Sequence, residues 1–341
     1  MLKSVFMQLK VLAKVAVVGA CRYLGINRLV HRFHRSSALV LCYHGIVADP
    51  PQKFFRYRLA VSVAEFDWHL RILRQRFHPI SAADLLAWFQ AQRPLPDHAV
   101  LVTFDDGYRN NLKLAAPLLR KHGIPCIFHV ATGYIGDNRI LWTDEVISRV
   151  MDCRNNSALS PDGERVRLPA SETERRRLAS HWKERCKRLP WSQVEDFLAD
   201  LRLASVLAAP NEELSAFLNW DEVRELCRQG FDIGSHTVEH PILSRVPAER
   251  LRFELAESKR HIERETGKEC LAIAYPNGGP DGFSQAVIGA SRDAGYRLGF
   301  TTIEDFQAQA VNALAVRRLC IMGHLPLSSF DFRVSGSSRL F

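Results

Sequence analysis

The sequence predicts an α/β fold: about seven parallel β-strands, wound with helices into a closed or nearly closed barrel and broken by one helical insertion. Three observations predict it. Short apolar runs alternate along the chain with amphipathic stretches of helical spacing. The apolar runs are nearly continuous, as in strands covered on both faces. No glycine-rich phosphate loop follows the first strand, which favours a barrel over an open nucleotide-binding sheet.

The elements follow in order. "ALVLCYHG" (38–45) is the first buried strand. "SVAEFDWHLRILRQRF" (62–77) has helical spacing, with Ser62 as N-cap and Glu65 completing a capping box. "ISAADLLAWFQA" (80–91) is a second helix, capped by Ser81. A strand in "HAVLVTFDDG" (98–107) leads to a helix at 111–123, stopped by Gly123, and to the strand "CIFHVAT" (126–132). Later strands fall at 231–236, 271–276, 296–302 and 315–320, with helices at 220–230, 247–267 and 282–295.

The rhythm breaks over 151–216, where a turn-rich stretch opens into charged helices at 171–189 and 192–207. Their apolar stripes look too narrow for a core of their own. They are expected as an insertion in a barrel domain spanning 37–330, with a tail at 331–341.

The net charge of +9 is uneven: residues 1–36 hold seven Lys or Arg and no acid. The body is therefore close to neutral, and nucleic-acid binding is not expected of it. Lys10 and Lys14 interrupt the N-terminal apolar stretch, against a signal peptide, and no run approaches the ~20 apolar residues of a membrane span. On a helical wheel Lys3, Lys10 and Lys14 form one stripe, with Leu2, Val5, Leu9, Leu12 and Ala16 opposite. Such a helix can lie on an anionic membrane or pack on the domain with its lysines in water. Eight cysteines without a CxxC pair argue against a zinc ribbon or a disulfide scaffold and for a reducing compartment. A cytoplasmic protein, peripheral on the membrane, is the expectation.

In "LVTFDDGY" (101–108) an apolar strand ends on two adjacent carboxylates, Asp105 and Asp106. Within a strand they would point to opposite faces, one of them into a packed layer at high cost. The cost disappears if the strand ends there and both project from its C-terminal end, where barrel enzymes build their sites. "GSHTVEHP" (234–241) also follows a strand and carries His236 and His240. Four residues apart, in a helical turn, they share a face and can converge on one cation. Two imidazoles and one carboxylate make a three-ligand site with open positions, the pattern of a catalytic zinc. The second carboxylate can then serve as a base toward water.

"TFDDG" (103–107), "SHTVEHP" (235–241) and "YPNGG" (275–279) resemble the first three motifs of the polysaccharide deacetylases that share the NodB homology domain. The resemblance runs from about Val40 to Leu319. It implies a distorted (β/α) barrel that removes acetyl groups from N-acetylated carbohydrate. It implies Asp105 as general base and Asp106, His236 and His240 as ligands of a divalent metal, usually zinc. Asn277, by its backbone N–H, and Tyr275 fall in the substrate-binding motif.

The match departs at identifiable positions. Many members carry an arginine two residues before the third-motif proline, steadying the base. This chain has Ala274, and Arg317 or Arg318 of the last strand can supply that charge. The fourth motif is not evident. For the general acid, His324 in "IMGHLPL" matches by place, while His44 after the first strand suits a substrate contact or proton donor. His129, mid-strand, reads as structural, and Tyr108 and Trp142 fit either the wall of the cleft or packing beside it. Two other functions fit the pattern: hydrolysis of another non-peptide amide on the same fold, and a catalytically silent relative that binds glycan.

Overall fold

The computed structural model describes residues 18, 21, 23–48, 59–205, 215–323 and 327–339. The expected N-terminal amphipathic helix with Lys3, Lys10 and Lys14 lies outside the described residues, as does His324. Among the described residues no helix is long and apolar enough to cross a membrane.

Seven parallel strands form the frame: β1 (Leu39–Tyr43), β2 (Ala99–Phe104), β3 (Cys126–Val130), β4 (Asp232–Ser235), β5 (Ala272–Ala274), β6 (Leu298–Phe300) and β7 (Leu319–Cys320). Each pairs with the next in the chain from β1 to β6, and β7 returns beside β1. The register runs through Val40–Leu101, Val102–Cys126, Phe128–Ile233, Ser235–Ile273, Ala274–Phe300 and Cys42–Cys320. The two edges meet at one parallel bridge between Phe300 and Val316, which rounds the sheet into the predicted distorted barrel.

The helices start and stop as local chemistry directs. Around the frame lie α1 (Ile26–Phe33), α2 (Val63–Arg76), α3 (Ala82–Phe89) and α4 (Ala116–His122). Ser62 with Glu65 and Ser81 with Asp84 close capping boxes at α2 and α3, and Gly123 ends α4 in the left-handed conformation. One π-turn, Asn111–Ala115, precedes α4 just after the acidic doublet, a common place for such a turn.

Strand alternation sorts the core into two layers. Leu39, Leu41, Tyr43, Val100, Val102, Phe104 and Phe128 face the helices. Val40, Leu101, Ile127, Ala274, Leu298 and Phe300 fill the lumen. By the same parity Cys42, Thr103, Asp105, His129, Arg318 and Cys320 point inward at the C-terminal end of the barrel.

The insertion departs from expectation. The chain forms α5 (Trp142–Asp152), a short hairpin of 157–159 with 165–167, α6 (Glu172–Cys186) and α7 (Trp191–Ala204). These bury a separate apolar cluster built on Trp142, Val146, Val150, Trp182, Trp191 and Phe197. Each stripe is narrow, and the helices within 151–216 complete this cluster with Trp142, Val146 and Val150 of α5 and with Ile242, all outside that range. The expected start at 151 falls inside α5.

Three further helices complete the body: α8 (Trp220–Arg228), α9 (Ala248–Thr266) and α10 (Gln285–Asp293). The last α-helix is α11 (Leu327–Val334), followed by a single 3-10 turn at Ser337–Arg339, so the expected boundary at 330/331 falls within a helix. Phe330, Phe332 and Val334 are buried, and Asp331 pairs with Arg76 and accepts a hydrogen bond from Asn27 of α1. Among the described residues, 331–337 pack against the body.

Candidate active site

Asp105 continues the inward parity of β2, and its N–H donates to the Tyr43 carbonyl at 2.9 Å. Arg318, just before β7, holds it with 2.8 Å to Oδ1 and 2.6 Å to Oδ2. The remaining guanidinium donors reach the Thr301 carbonyl (2.8 Å) and Thr103 Oγ1 (3.1 Å), so this buried cation is well satisfied. His129 Nδ1 donates to Asp105 Oδ1 at 3.1 Å, and Cys42 Sγ to Oδ2 at 3.3 Å. Room for the His129 ring comes from Gly234 on β4, where a Cβ would collide with it. Burial alone would raise the Asp105 carboxyl; the Arg318 charge and the His129 hydrogen bond overcome it and hold the group well below the usual carboxylate range.

Asp106 turns over the rim. Its φ is 76°, and Gly107 follows at 87°, where an added Cβ would press on Val130 at 3.1 Å. This brings Asp106 Oδ1 to 3.4 Å from His236 Nε2 and 3.6 Å from His240 Nε2. The three ligand atoms lie within 4.8 Å of one another, and all three residues are buried.

The two histidines converge, but not on the helical turn their spacing implied. Residues 236–240 form an irregular loop in which Thr237 (φ 68°) and His240 (φ 56°) are left-handed. The loop is braced by its neighbours. Glu254 of α9, fully buried, accepts the N–H groups of Val238 (2.7 Å) and Glu239 (3.0 Å). Thr237 Oγ1 accepts the His240 N–H at 3.1 Å, and Trp142 Nε1 of α5 donates to the His240 carbonyl at 2.8 Å.

The donor set fits a divalent cation. His236 donates through Nδ1 to the Ala274 carbonyl at 2.7 Å, which leaves a lone pair on Nε2 facing Asp106. Two donors about 2.0–2.1 Å from one zinc at the tetrahedral angle sit about 3.4 Å apart. The observed 3.4 and 3.6 Å match that edge and are long for hydrogen bonds. Burial lowers the His240 imidazole to about 3, so it is neutral and able to ligate at ordinary pH. Burial disfavours charge on His236 as well, but Asp105 and Asp106 together raise it.

A cleft of about 370 Å³ opens over these groups, lined by His44, Asp105, Asp106, Tyr108, His236, His240 and Asn277, among others. His44 Nδ1 is buried without a hydrogen-bond partner among the described residues. Asn277 sits at φ 48°, and its N–H likewise has no acceptor among them. Two aromatic residues beside the cleft are tied up in hydrogen bonds. Trp142 is buried behind the cleft and supports His240 instead of lining the wall. Tyr275 borders the cleft, yet its fully buried side chain donates its hydroxyl to the Leu314 carbonyl (2.9 Å) and stacks on Phe283, so it shapes the wall without offering a polar contact. Of the two candidate arginines, Arg318 meets Asp105, while Arg317 faces Asp305 outside the site.

Sequence reasoning missed four contributors. His129 touches Asp105 directly, Glu254 braces the histidine loop, and Lys183 and Lys187 of the insertion reach the cleft. Only the lysines had a signal, a basic pair four residues apart.

A family model described as polysaccharide deacetylase matches residues 92–299. YxkH of Bacillus subtilis (strain 168), provisionally named a polysaccharide deacetylase, is 21% identical over 295 residues, covering 85% of this chain and 74% of that protein. The poly-beta-1,6-N-acetyl-D-glucosamine N-deacetylase of Escherichia coli (strain K12) is 28% identical over 102 residues, 29% of this chain and only 15% of that protein. The fold is similar to that of the Streptococcus pyogenes deacetylase PplD, solved with acetate, at a TM-score of 0.58 and 18% identity over 88% of this chain and 99% of that one. The chain belongs to the polysaccharide deacetylase family, hydrolases that act on non-peptide carbon–nitrogen bonds.

Proposed function

We propose that this protein removes N-acetyl groups from a glycan or glycan precursor, with Asp105 as general base and Asp106, His236 and His240 holding one divalent cation, zinc by its donor set. One observation carries the reading: three buried ligand atoms converge within 4.8 Å beside a second carboxylate that is kept ionised. The name of the E. coli relative supports an N-acetylated hexosamine polymer as the substrate class.

When bound, the cation supplies Lewis acidity toward the amide carbonyl and lowers the pKa of water. Asp105 takes the proton of the attacking water, and Arg318 and His129 keep it ionised and aimed at the cleft. Arg318 supplies the charge that Ala274 cannot, which speaks against a silent glycan-binding relative. As water adds to the carbonyl carbon, the Asn277 N–H is the donor set for the developing oxyanion. His44, in the cleft with its Nδ1 unpartnered, gives a proton to the leaving amine as the carbon–nitrogen bond breaks and acetate departs. His324, the other candidate acid, lies outside the described residues.

Acetate release from an N-acetylated oligosaccharide, with and without a chelator, tests the reading. Activity that survives complete metal removal sinks it. Asp105→Asn separates base from ligand: turnover is lost and bound metal stays. We also propose that residues 1–36, with seven cations and no acid, rest on an anionic membrane surface at its cytoplasmic side. Sedimentation of the full chain with anionic and neutral vesicles tests this, and equal binding to both excludes it.

A further inference from the structure

Two of the eight cysteines stand apart from the rest. Cys42 of β1 and Cys320 of β7 are direct partners in the parallel register and point to the same, inward face. Neighbouring strands lie about 4.8 Å apart, inside the Cα separation a disulfide bridges. Cys42 is fully buried and donates to Asp105 Oδ2 at 3.3 Å. Cys320 is half-buried and lines the same cleft as His44, Asp105 and Asp106, so a small solute that enters the cleft reaches its sulfur. Arg318, two residues before Cys320, points into the same space and favours a thiolate there.

We propose that Cys42 and Cys320 form a peroxide-sensitive dithiol, a modification site built into the wall of the active-site cleft and coupled to Asp105. The inference rests on Asp105 as the base. The chemistry closes with hydrogen peroxide as oxidant. The Cys320 thiolate attacks one peroxide oxygen, an S–O bond forms, the O–O bond breaks, and one water leaves after protonation. The Cys42 sulfur then attacks the Cys320 sulfenic acid, the S–S bond forms and a second water leaves. Two thiols lose two electrons in total and one peroxide becomes two waters. Exchange with an external dithiol returns both thiols.

Oxidation removes the S–H that Cys42 offers to Asp105 and draws the Cys320 sulfur from the cleft wall toward β1. One lost hydrogen bond to the base corresponds to a two- to tenfold fall in turnover, as an order of magnitude. No other pair among the free cysteines is matched in strand register among the described residues.

The test uses the full chain. It is treated with hydrogen peroxide, remaining thiols are alkylated, and the digest is mapped by mass. The expected result is a linked Cys42–Cys320 peptide pair that dithiothreitol separates, with turnover falling two- to tenfold and recovering alongside. Cys320→Ser, compared with its own untreated activity, does not respond. Alkylation of both cysteines as free thiols after treatment overturns the proposal. So does a linked pair with unchanged turnover, or a Cys320→Ser enzyme that loses activity as the wild type does. The mass map reads the dithiol without reference to turnover, whereas acetate release by the untreated enzyme reads the deacetylase assignment, so the two can fail separately.

Discussion

Arg318 and Asp105 form a two-pronged ion pair inside the barrel, 2.8 and 2.6 Å between their atoms, with neither residue open to solvent. The partners are 213 positions apart in the chain, and only closure of the sheet at β7 brings them together. Breaking such a pair strands a buried charge, which costs roughly 3–5 kcal/mol. Arg318→Met is therefore expected to lower Tm by on the order of 10 °C. It also leaves the base without its orienting cation, and turnover should fall by about 10²-fold or more, the range of general base catalysis. Bound metal should be unchanged, since Arg318 touches none of the three ligands. Thermal melts, kcat and metal content on one preparation check this; a fall in metal equal to the fall in turnover would assign Arg318 a different role.

The metal prediction separates ligands from their supports. His240→Ala removes one of three donors and should abolish stoichiometric metal. Trp142→Phe leaves every ligand in place and removes only the N–H that holds the His240 carbonyl at 2.8 Å. Losses of this outer kind typically weaken metal binding 10- to 100-fold. Competition with a chromophoric chelator measures it, and an affinity equal to wild type would mean that Glu254 and Thr237 alone fix the loop.

The contrast between the aspartate pair and the histidine pair shows where the sequence is readable. Asp105 and Asp106 were legible because paired carboxylates at the end of an apolar strand have few inexpensive placements. His236 and His240 were legible by type, while their geometry was not. The spacing looks helical, but two left-handed residues and a carboxylate from α9 bend the chain instead, and neither leaves a local mark. Arg317 and Arg318 were indistinguishable because β7 spans two residues, too short to display its phase. The second apolar cluster was hidden because its positions are shared among α5, α6 and α7. What each strand or helix does alone can be read along the chain, and what only closure or pooling creates cannot.

Lys183 and Lys187 bring the insertion to the cleft. Both ammonium groups share Glu184 Oε1, each at 3.1 Å. Burial and the neighbouring Lys183 charge lower the Lys187 ammonium from its ordinary value, with Glu184 opposing them. Ammonium groups so placed can donate to sugar hydroxyls or ring substituents beyond the scissile amide. Replacing either with methionine keeps the apolar stem and removes the donors. Each single variant is expected to raise KM by about 2- to 10-fold with kcat nearly unchanged, the signature of lost uniform binding. A drop in kcat at constant KM would instead place the lysines at the reacting amide.

Acid stability follows from two histidines remote from the cleft. His69 is buried, stacked on Phe330 at 3.8 Å, with Nδ1 3.3 Å from the Tyr43 hydroxyl; burial lowers it to about 3. His31, 3.0 Å from the Arg76 carbonyl and stacked on His98 at 3.9 Å, is lowered to about 4 by burial and then by His98. Both stay neutral in the fold, while in the unfolded chain each takes a proton near pH 6.5. Below that value the unfolded state binds more protons, so these two histidines withdraw stability as pH drops from about 6.5 toward 4 and add no slope above 7, with His98, His129 and His240, also lowered by burial, acting in the same sense. The carboxylates that the fold holds low add to the loss from about pH 5 downward, in wild type and variant alike. His236, raised in the metal-free chain, acts in the opposite sense, so the informative quantity is a difference between variants. His69→Phe keeps the stack but orphans the Tyr43 hydroxyl, so it should be less stable than wild type at pH 7. Having no proton to gain, it should also lose less on acidification, and the two urea midpoints should converge by pH 4.5. Parallel curves across that range would show that His69 is protonated in the folded chain.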